Sequence, residues 1–272
     1  MDKTDSALNI AVLVKYVPDA QFDRHLSGEH NTTDRAESIL SELDEYALEA
    51  ALQLVEAHTG ADHRITAITM GPPSAANAVK KALQIGAHAG VHLSDDALAG
   101  SDASGTSRAL AAVVRHLGGI DLVVTGMAST DGETSLVPAQ LAELLDLPQV
   151  TFASNLDLQH DDGAWQLTAR RESDNVAETV ECRLPAVVSV TDQINEPRYP
   201  NFKGIMAAKK KPITTLSLAE VGLDASEVGL TGAWTQVNQA QQRPPRSQGT
   251  IITDEGDAGR RLVDFLAEQK LL

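Results

Sequence analysis

The chain has 272 residues, a formal net charge of −16, a pI of about 4.8, 42% apolar residues and only 3% aromatic residues. So acidic a surface repels phosphate backbones and argues against a nucleic-acid partner, whereas the apolar content suffices for a globular core. The single cysteine, Cys182, excludes an intramolecular disulfide framework and multi-cysteine metal or iron–sulfur sites.

The N-terminus is polar and its first apolar run, Ile10–Val14, is too short for a signal-peptide core or a bilayer span, so a cytoplasmic protein is expected. Asn9–Tyr16 reads as a buried strand. The polar stretch Val17–Leu40, with a turn region at 25–29, separates it from a helix that Ser41 opens. The Ser41 hydroxyl is placed to cap, Leu43, Ala47, Ala50 and Leu54 repeat at helical spacing, and Gly60 ends the pattern. His63–Met70 is a second strand, broken by Gly71-Pro72-Pro73, and Ser74 caps a helix reaching Ile85. Gly90–Leu93 is a third strand, and Ser101–Leu117 a helix closed by Gly118-Gly119. Asp121–Thr125 is the fourth strand, followed by a glycine-containing loop and a helix from about Leu136 with Pro138 in its first turn. Strand–helix alternation of this kind builds a parallel sheet covered on both faces.

From Gln149 the pattern changes to strands joined by turns: Leu156–Leu158 and Trp165–Arg171 around Asp161-Asp162-Gly163, then Val176–Leu184 and Ala186–Thr191. These should extend the same sheet. Asp192–Lys211 reads as a connecting segment, and Thr235–Gln248 as an extended polar arm. A last helix, about Asp257–Leu271, carries Leu262, Phe265 and Leu266 on one face and cannot bury that face alone; docking on another chain is expected. The fold class is therefore α/β, a doubly wound and mostly parallel sheet with a β-rich extension and a C-terminal arm.

In such sheets ligands sit beyond the carboxyl ends of the strands, where strand order reverses. Neither G-x-G-x-x-G after the first strand nor G-x-x-x-x-G-K-[ST] anywhere is present. The loop after the fourth strand, Gly126-Met127-Ala128-Ser129-Thr130-Asp131-Gly132-Glu133-Thr134-Ser135, offers glycines, hydroxyls and backbone N–H groups close to a helix start. That combination suits a phosphate, and equally an ordinary helix-capping loop, which on its own is the commoner meaning. Catalytic patterns are poor: there is no H-E-x-x-H and no G-x-S-x-G, and Asp95-Asp96 suits capping better than acid–base work. Cys182 alternates with Val180 and Leu184 in a β run, which suits packing rather than nucleophilic attack. No catalytic residue and no metal site is assigned. The segment Asn195–Lys211 carries five basic residues against one acid, with Phe202, Ile205 and Met206 interleaved and Pro197 and Pro200 stiffening its entry. It reads either as a docking tip for a transient protein contact or as a solvated basic turn.

At these residues the sequence resembles the β subunit of the electron transfer flavoprotein family. The resemblance rests on Val12-Leu13-Val14-Lys15 with Val17-Pro18-Asp19, Asp44 to Ala51, Met70-Gly71-Pro72, Asp121–Gly132, Leu184 to Val188, and Asn195-Glu196-Pro197-Arg198-Tyr199 running into Ile205-Met206 and Lys209-Lys210-Lys211. It implies a heterodimer with an α subunit, one FAD held mainly by α, and a structural AMP in this chain. Residues 1–230 would form the AMP-binding domain, including a recognition loop at 195–211, and 231–272 an arm and helix docking on the partner subunit. The AMP positions it implies are Leu13, Ser41, Glu42, Leu43, Asp44, Met70 and Gly126 to Thr134, with the phosphate held on loop N–H groups and Thr134, without Lys or Mg²⁺. Arg198, Tyr199, Phe202, Ile205 and Met206 would contact partner proteins, Phe202 standing where the family commonly has leucine. Ser135 stands where glycine usually follows the threonine.

The resemblance implies an electron carrier, not an enzyme. It would take electrons from acyl-CoA and other flavin dehydrogenases and pass them to a membrane quinone oxidoreductase in the respiratory chain, as in fatty acid oxidation. The alternative within the family is an electron-bifurcating form with a second FAD in place of AMP. An ATP-hydrolysing enzyme or a nucleotide sensor on the same scaffold are the other classes; Lys15-Tyr16-Val17-Pro18 offers the first of these no phosphate grip.

Overall fold

The structure, a computed structural model, describes residues 7–22, 25–27, 32–241, 244 and 249–272. The turn expected at 25–29 and the arm at 235–248 lie partly outside the described residues. The elements in order are β1 (Asn9–Leu13), β2 (Tyr16–Pro18), β3 (Leu26–Ser27), β4 (Thr32–Thr33), β5 (Ser38–Leu40), α1 (Glu42–Ala57), β6 (Arg64–Met70), α2 (Ala76–Ile85), β7 (Ala89–Leu93) and α3 (Ala103–Leu117). There follow β8 (Leu122–Gly126), α4 (Val137–Leu145), β9 (Gln149–Asp161), β10 (Ala164–Ser173), β11 (Val176–Arg183), β12 (Ala186–Val190), α5 (Phe202–Ala208), β13 (Ile213–Leu216), α6 (Gly229–Gly232) and α7 (Ala258–Glu268).

Nine strands form one sheet in the order β11-β10-β9-β12-β8-β1-β6-β7-β13. Pairing is parallel from β9 to β13 and antiparallel between β9, β10 and β11. The chain runs outward from β1 through β6 to β7, then returns to β8 on the other side of β1. Strand order thus reverses between β1 and β8, and their carboxyl ends open the crevice where such sheets bind ligands. Alternation along β1 explains the two covered faces. Ile10 and Val12 point into a core with Leu48, Leu52 and Leu83 of α1 and α2, while Ala11 and Leu13 point into a second core with Leu110 and Val113 of α3 and Leu141 of α4. Strands buried on both sides need continuous apolar runs, which is what the sequence shows.

The expected doubly wound sheet and its hairpin extension are both present. Asp162 (φ 48°) and Gly163 (φ 79°) make the turn between β9 and β10, the left-handed pair that matches strand twist. Several local expectations are corrected. Ser41 occupies the cap position of α1, but its hydroxyl makes no capping bond. The helix expected from Ser74 begins at Ala76, behind a 3₁₀ turn over Pro73–Ala75. The connecting segment at 192–211 contains α5, and β13 adds a parallel edge strand to β7.

The chain divides into two compact units, Met1–Asn238 and Gln239–Leu272. Residues 231–238, placed above with the arm, fold with the first unit because the Asp102 carboxylate accepts bonds from the Trp234 and Thr235 N–H groups and the Thr235 hydroxyl. In the second unit α7 keeps Leu262, Val263 and Phe265 exposed.

Candidate functional site

The crevice is built where β1, β6 and β8 end. Past Leu13 the chain turns toward α1: the Lys15 N–H donates to Asp44 Oδ2 at 2.7 Å, and the Ser41 N–H donates to the Lys15 carbonyl at 3.0 Å. Ser41, Glu42, Leu43 and Asp44 are thereby held against the end of β8. A Cβ on Gly126 would lie 2.7 Å from the Leu43 carbonyl oxygen and 2.9 Å from Asp44 Oδ1, so only glycine lets the head of α1 approach this closely. Burial pushes the Asp44 carboxyl up to about 7, against the pull of the Lys15 N–H bond, the Lys15 charge and the Gly126 N–H; the nearby Asp131 charge raises it further. Met70 closes β6 one strand away, its neighbour Ile68 in register with Leu13.

The loop after β8 folds on itself. The Glu133 N–H donates to the Ser129 carbonyl at 2.9 Å, and the Gly132 N–H to Ser129 Oγ at 3.3 Å. The phosphate site implied by the resemblance uses no lysine, yet two cations stand at the loop. Lys15 Nζ lies 2.8 Å from Asp131 Oδ1 and 3.2 Å from Ser129 Oγ, and an Arg35 guanidinium nitrogen lies 2.6 Å from Asp131 Oδ2. Burial opposes ionisation of Asp131, but these cations and the bonds from Lys15 and Ser129 hold its carboxyl below the usual range. Met127, Ala128 and Thr130 are half-buried, while Gly132, Glu133 and Thr134 are exposed.

Ser135 adopts φ 53°, the left-handed region where an L side chain costs about 1 kcal/mol. This is the physical reason for the glycine that the resemblance leads one to expect there. Ser135→Gly should raise the stability of the chain by about 0.5–1 kcal/mol, read as a shift of its urea midpoint at unchanged slope.

Two hydroxyls near the strand ends have unsatisfied hydrogen-bonding capacity. Ser41 Oγ and Thr69 Oγ1 are buried with no hydrogen-bond partner among the described residues. A buried hydroxyl without a partner costs free energy. Ser41 stands before the head of α1, and Thr69 next to the end of β6. Orphaned hydroxyls and two cations fit the polar edges and a phosphate of an adenine nucleotide.

A second surface lies on the segment from Asn195 to Lys211. Arg198, one of the residues expected to face a partner, makes bonds within the chain. Its guanidinium meets Glu49 at 2.7 and 3.0 Å and Glu56 at 2.6 and 2.8 Å, both on α1, and the Asn195 amide donates to the Tyr46 carbonyl at 3.1 Å. Lys211 is equally occupied, its ammonium donating to the Leu83, Gly86 and Ala87 carbonyls at the end of α2. Clamped at both ends, the segment presents Tyr199 at 90% and Phe202 at 80% exposure, with Ile205 and Met206 beside them. Asn201 caps α5 by accepting the Gly204 N–H at 2.8 Å.

Elsewhere little reactive chemistry is assembled. Cys182 is half-buried, and burial pushes its thiol up. Asp95 accepts the Ala97 and Leu218 N–H groups. Among the described residues no His, Cys, Asp and Glu cluster could hold a metal ion, and no helix is long and apolar enough to cross a membrane.

Comparison with known proteins shows the family. The profile of the family described as "Electron transfer flavoprotein domain" matches residues 31–221. The chain is 45% identical to the electron transfer flavoprotein subunit beta of Mycobacterium leprae over 268 residues, 97% of this chain and 99% of the relative. It is 33% identical to the subunit of the same name from Megasphaera elsdenii, covering 96% and 97% of the two chains. It is also 31% identical to the "Caffeyl-CoA reductase-Etf complex subunit CarD" of Acetobacterium woodii, covering 97% and 100%.

Proposed function

This chain belongs to the electron transfer flavoprotein family as a β subunit, and from that premise we propose that it pairs with an α subunit around one shared FAD, with an AMP in its own crevice. The complex takes electrons from acyl-CoA and other flavin dehydrogenases in the cytoplasm and delivers them to a membrane quinone oxidoreductase. The flavin supplies the reversible electron chemistry when bound. This chain's residues supply a nucleotide seat and a docking tip.

The observation that carries the reading is the unsatisfied polar set at the switch point. Ser41 Oγ, before the head of α1, and Thr69 Oγ1, next to the end of β6, are orphaned among the described residues, and the loop from Gly126 to Thr134 follows the end of β8. AMP here is a structural ligand seated beyond the carboxyl ends of β1, β6 and β8. The exposed Tyr199 and Phe202, raised on a clamped segment, suit a weak and rapidly exchanging contact with dehydrogenases; an aromatic anchor on a rigid mount loses little entropy on docking.

The relative from Acetobacterium woodii, named as part of a caffeyl-CoA reductase complex and similar over nearly the whole chain, favours a second reading, a β subunit with a second FAD in the crevice. Co-expression with the α chain, gentle isolation and identification of the nucleotides released on denaturation decide the matter. One FAD and one AMP per dimer are expected. Two FAD and no AMP establish the second reading, and a colourless, nucleotide-free chain that stays alone overturns both.

A further inference from the structure

Asp131 draws two cations from segments distant in sequence, Lys15 across 116 residues and Arg35 across 96. Its side chain is 3% exposed, whereas those of Lys15 and Arg35 are 39% and 30% exposed. One cation would neutralise the carboxylate. Among the described residues, two cations on one carboxylate give this group an excess of positive charge, in a chain of net charge −16. The neighbouring acid Asp44 is the one whose burial pushes it up to about 7, so it offsets this excess only in part at neutral pH. Glu133, the other carboxyl of the loop, is exposed to solvent, where screening weakens its field.

Among the described residues, Lys15 spends two of its ammonium's three donors, on Asp131 Oδ1 and Ser129 Oγ. Gly132 keeps the approach open: a side chain there would begin 3.1 Å from Ser129 Oγ and 3.9 Å from Lys15 Nζ. Ser129 and Asp131 also fix the ammonium, so an incoming anion meets a charge already in position.

We propose that Lys15 is the phosphate-recognising cation of the crevice, with Asp131 and Arg35 as its positioning residues, so that the site selects a nucleoside monophosphate over the uncharged nucleoside by charge. This rests on the reading that an adenine nucleotide occupies the crevice, and it adds which residues read the phosphate. Lys15 touches the ligand; Asp131 holds Lys15 in place, and Arg35 keeps Asp131 from cancelling it.

The test is a pair of affinities on the nucleotide-stripped αβ complex, for AMP and for adenosine. With wild-type protein, AMP binds more tightly than adenosine, and the ratio shrinks as KCl is raised. Lys15→Met lowers that ratio by about 10–100-fold, leaves adenosine affinity nearly unchanged, and Lys15→Arg restores most of it. Arg35→Met lowers the ratio by a smaller factor. A parallel fall of both affinities in Lys15→Met overturns the proposal, because Lys15 then only braces the loop. Should that variant not assemble, a wild-type ratio indifferent to salt overturns it as well. Wild-type complex that binds neither AMP nor adenosine overturns the underlying nucleotide reading, whereas adenosine binding with no preference for AMP leaves that reading standing and removes Lys15 from it.

Discussion

Arg198→Met should lower the stability of the chain by about 2–3 kcal/mol and slow reduction by the partner dehydrogenase. Glu49 is the reason: its side chain is 5% exposed, and Arg198 contacts both of its carboxylate oxygens. Removing one partner of a buried pair typically costs about 3–5 kcal/mol, because the other charge is left uncompensated. The Arg198 side chain is 36% exposed and Glu56 more so, so solvent screening takes the expected loss below that range. Glu49→Gln in the Arg198→Met background should return part of the loss, since an amide is cheaper to leave behind than a carboxylate. The pH dependence has a definite sign. Burial raises Glu49, but the Arg198 bonds outweigh it and hold the carboxyl below its usual range, and the same bonds lower Glu56. The wild-type advantage is therefore present above about pH 4.5 and lost as acid protonates the pair. Chemical denaturation of both proteins across pH checks this; equal stabilities at neutral pH would show that the clamp holds nothing. The kinetic loss follows because the clamp carries Tyr199 and Phe202.

Arg198 also shows where sequence reasoning reached and where it stopped. Sheet, crevice and loop were legible because each depends on local pattern: apolar strand runs broken by Gly71-Pro72-Pro73 or Gly118-Gly119, then helical spacing. Leu13, the residues from Ser41 to Asp44, and Gly126 do converge, because a doubly wound sheet places those ends together whatever their identity. Pairing across the fold was not legible. Arg198 meets Glu49 across 149 residues, and in a basic segment it read as a docking charge. Nothing in the sequence set Glu49 apart: it lies in helical register with Glu45 and Glu56, an acidic row that reads as solvated, and only the fold buries it. Lys15 and Arg35 were missed for the same reason, their shared carboxylate lying on a loop far along the chain. The helix α5 was missed for a different one. Seven residues are too few to show periodicity or to be stable alone, and α5 persists because Gly204 fits against the Gln84 carbonyl, which a Cβ would approach to 2.6 Å.

The remaining large effect concerns Asp44 and runs opposite in sign to that of the Arg198 clamp. Its carboxyl faces the Lys15 and Gly126 N–H groups, which favour the anion, but burial dominates and moves it from 3.8 to about 7. Between those values the folded chain binds a proton that the unfolded chain has released. Folding is therefore favoured by this group as pH falls, and the penalty is complete above pH 7. One pKa unit is about 1.4 kcal/mol, so the full penalty on the free chain is on the order of 4 kcal/mol. Asp44→Asn removes the titration and keeps an oxygen that can accept the Lys15 N–H. Its amide also places an NH₂ near the Gly126 N–H, an offset that does not vary with pH. The quantity to read is therefore the change in the stability difference between the two proteins, not its value at one pH. From pH 4 to pH 8 that difference should move several kcal/mol in favour of Asp44→Asn. A difference that stays flat would mean that water reaches the Asp44 carboxyl and that the head of α1 is not sealed against β8. The same shift links the two halves of the crevice: a phosphate on Lys15 draws off the positive charge that helps Asp44 ionise, so loading the nucleotide should raise Asp44 further and be accompanied by proton uptake near neutral pH.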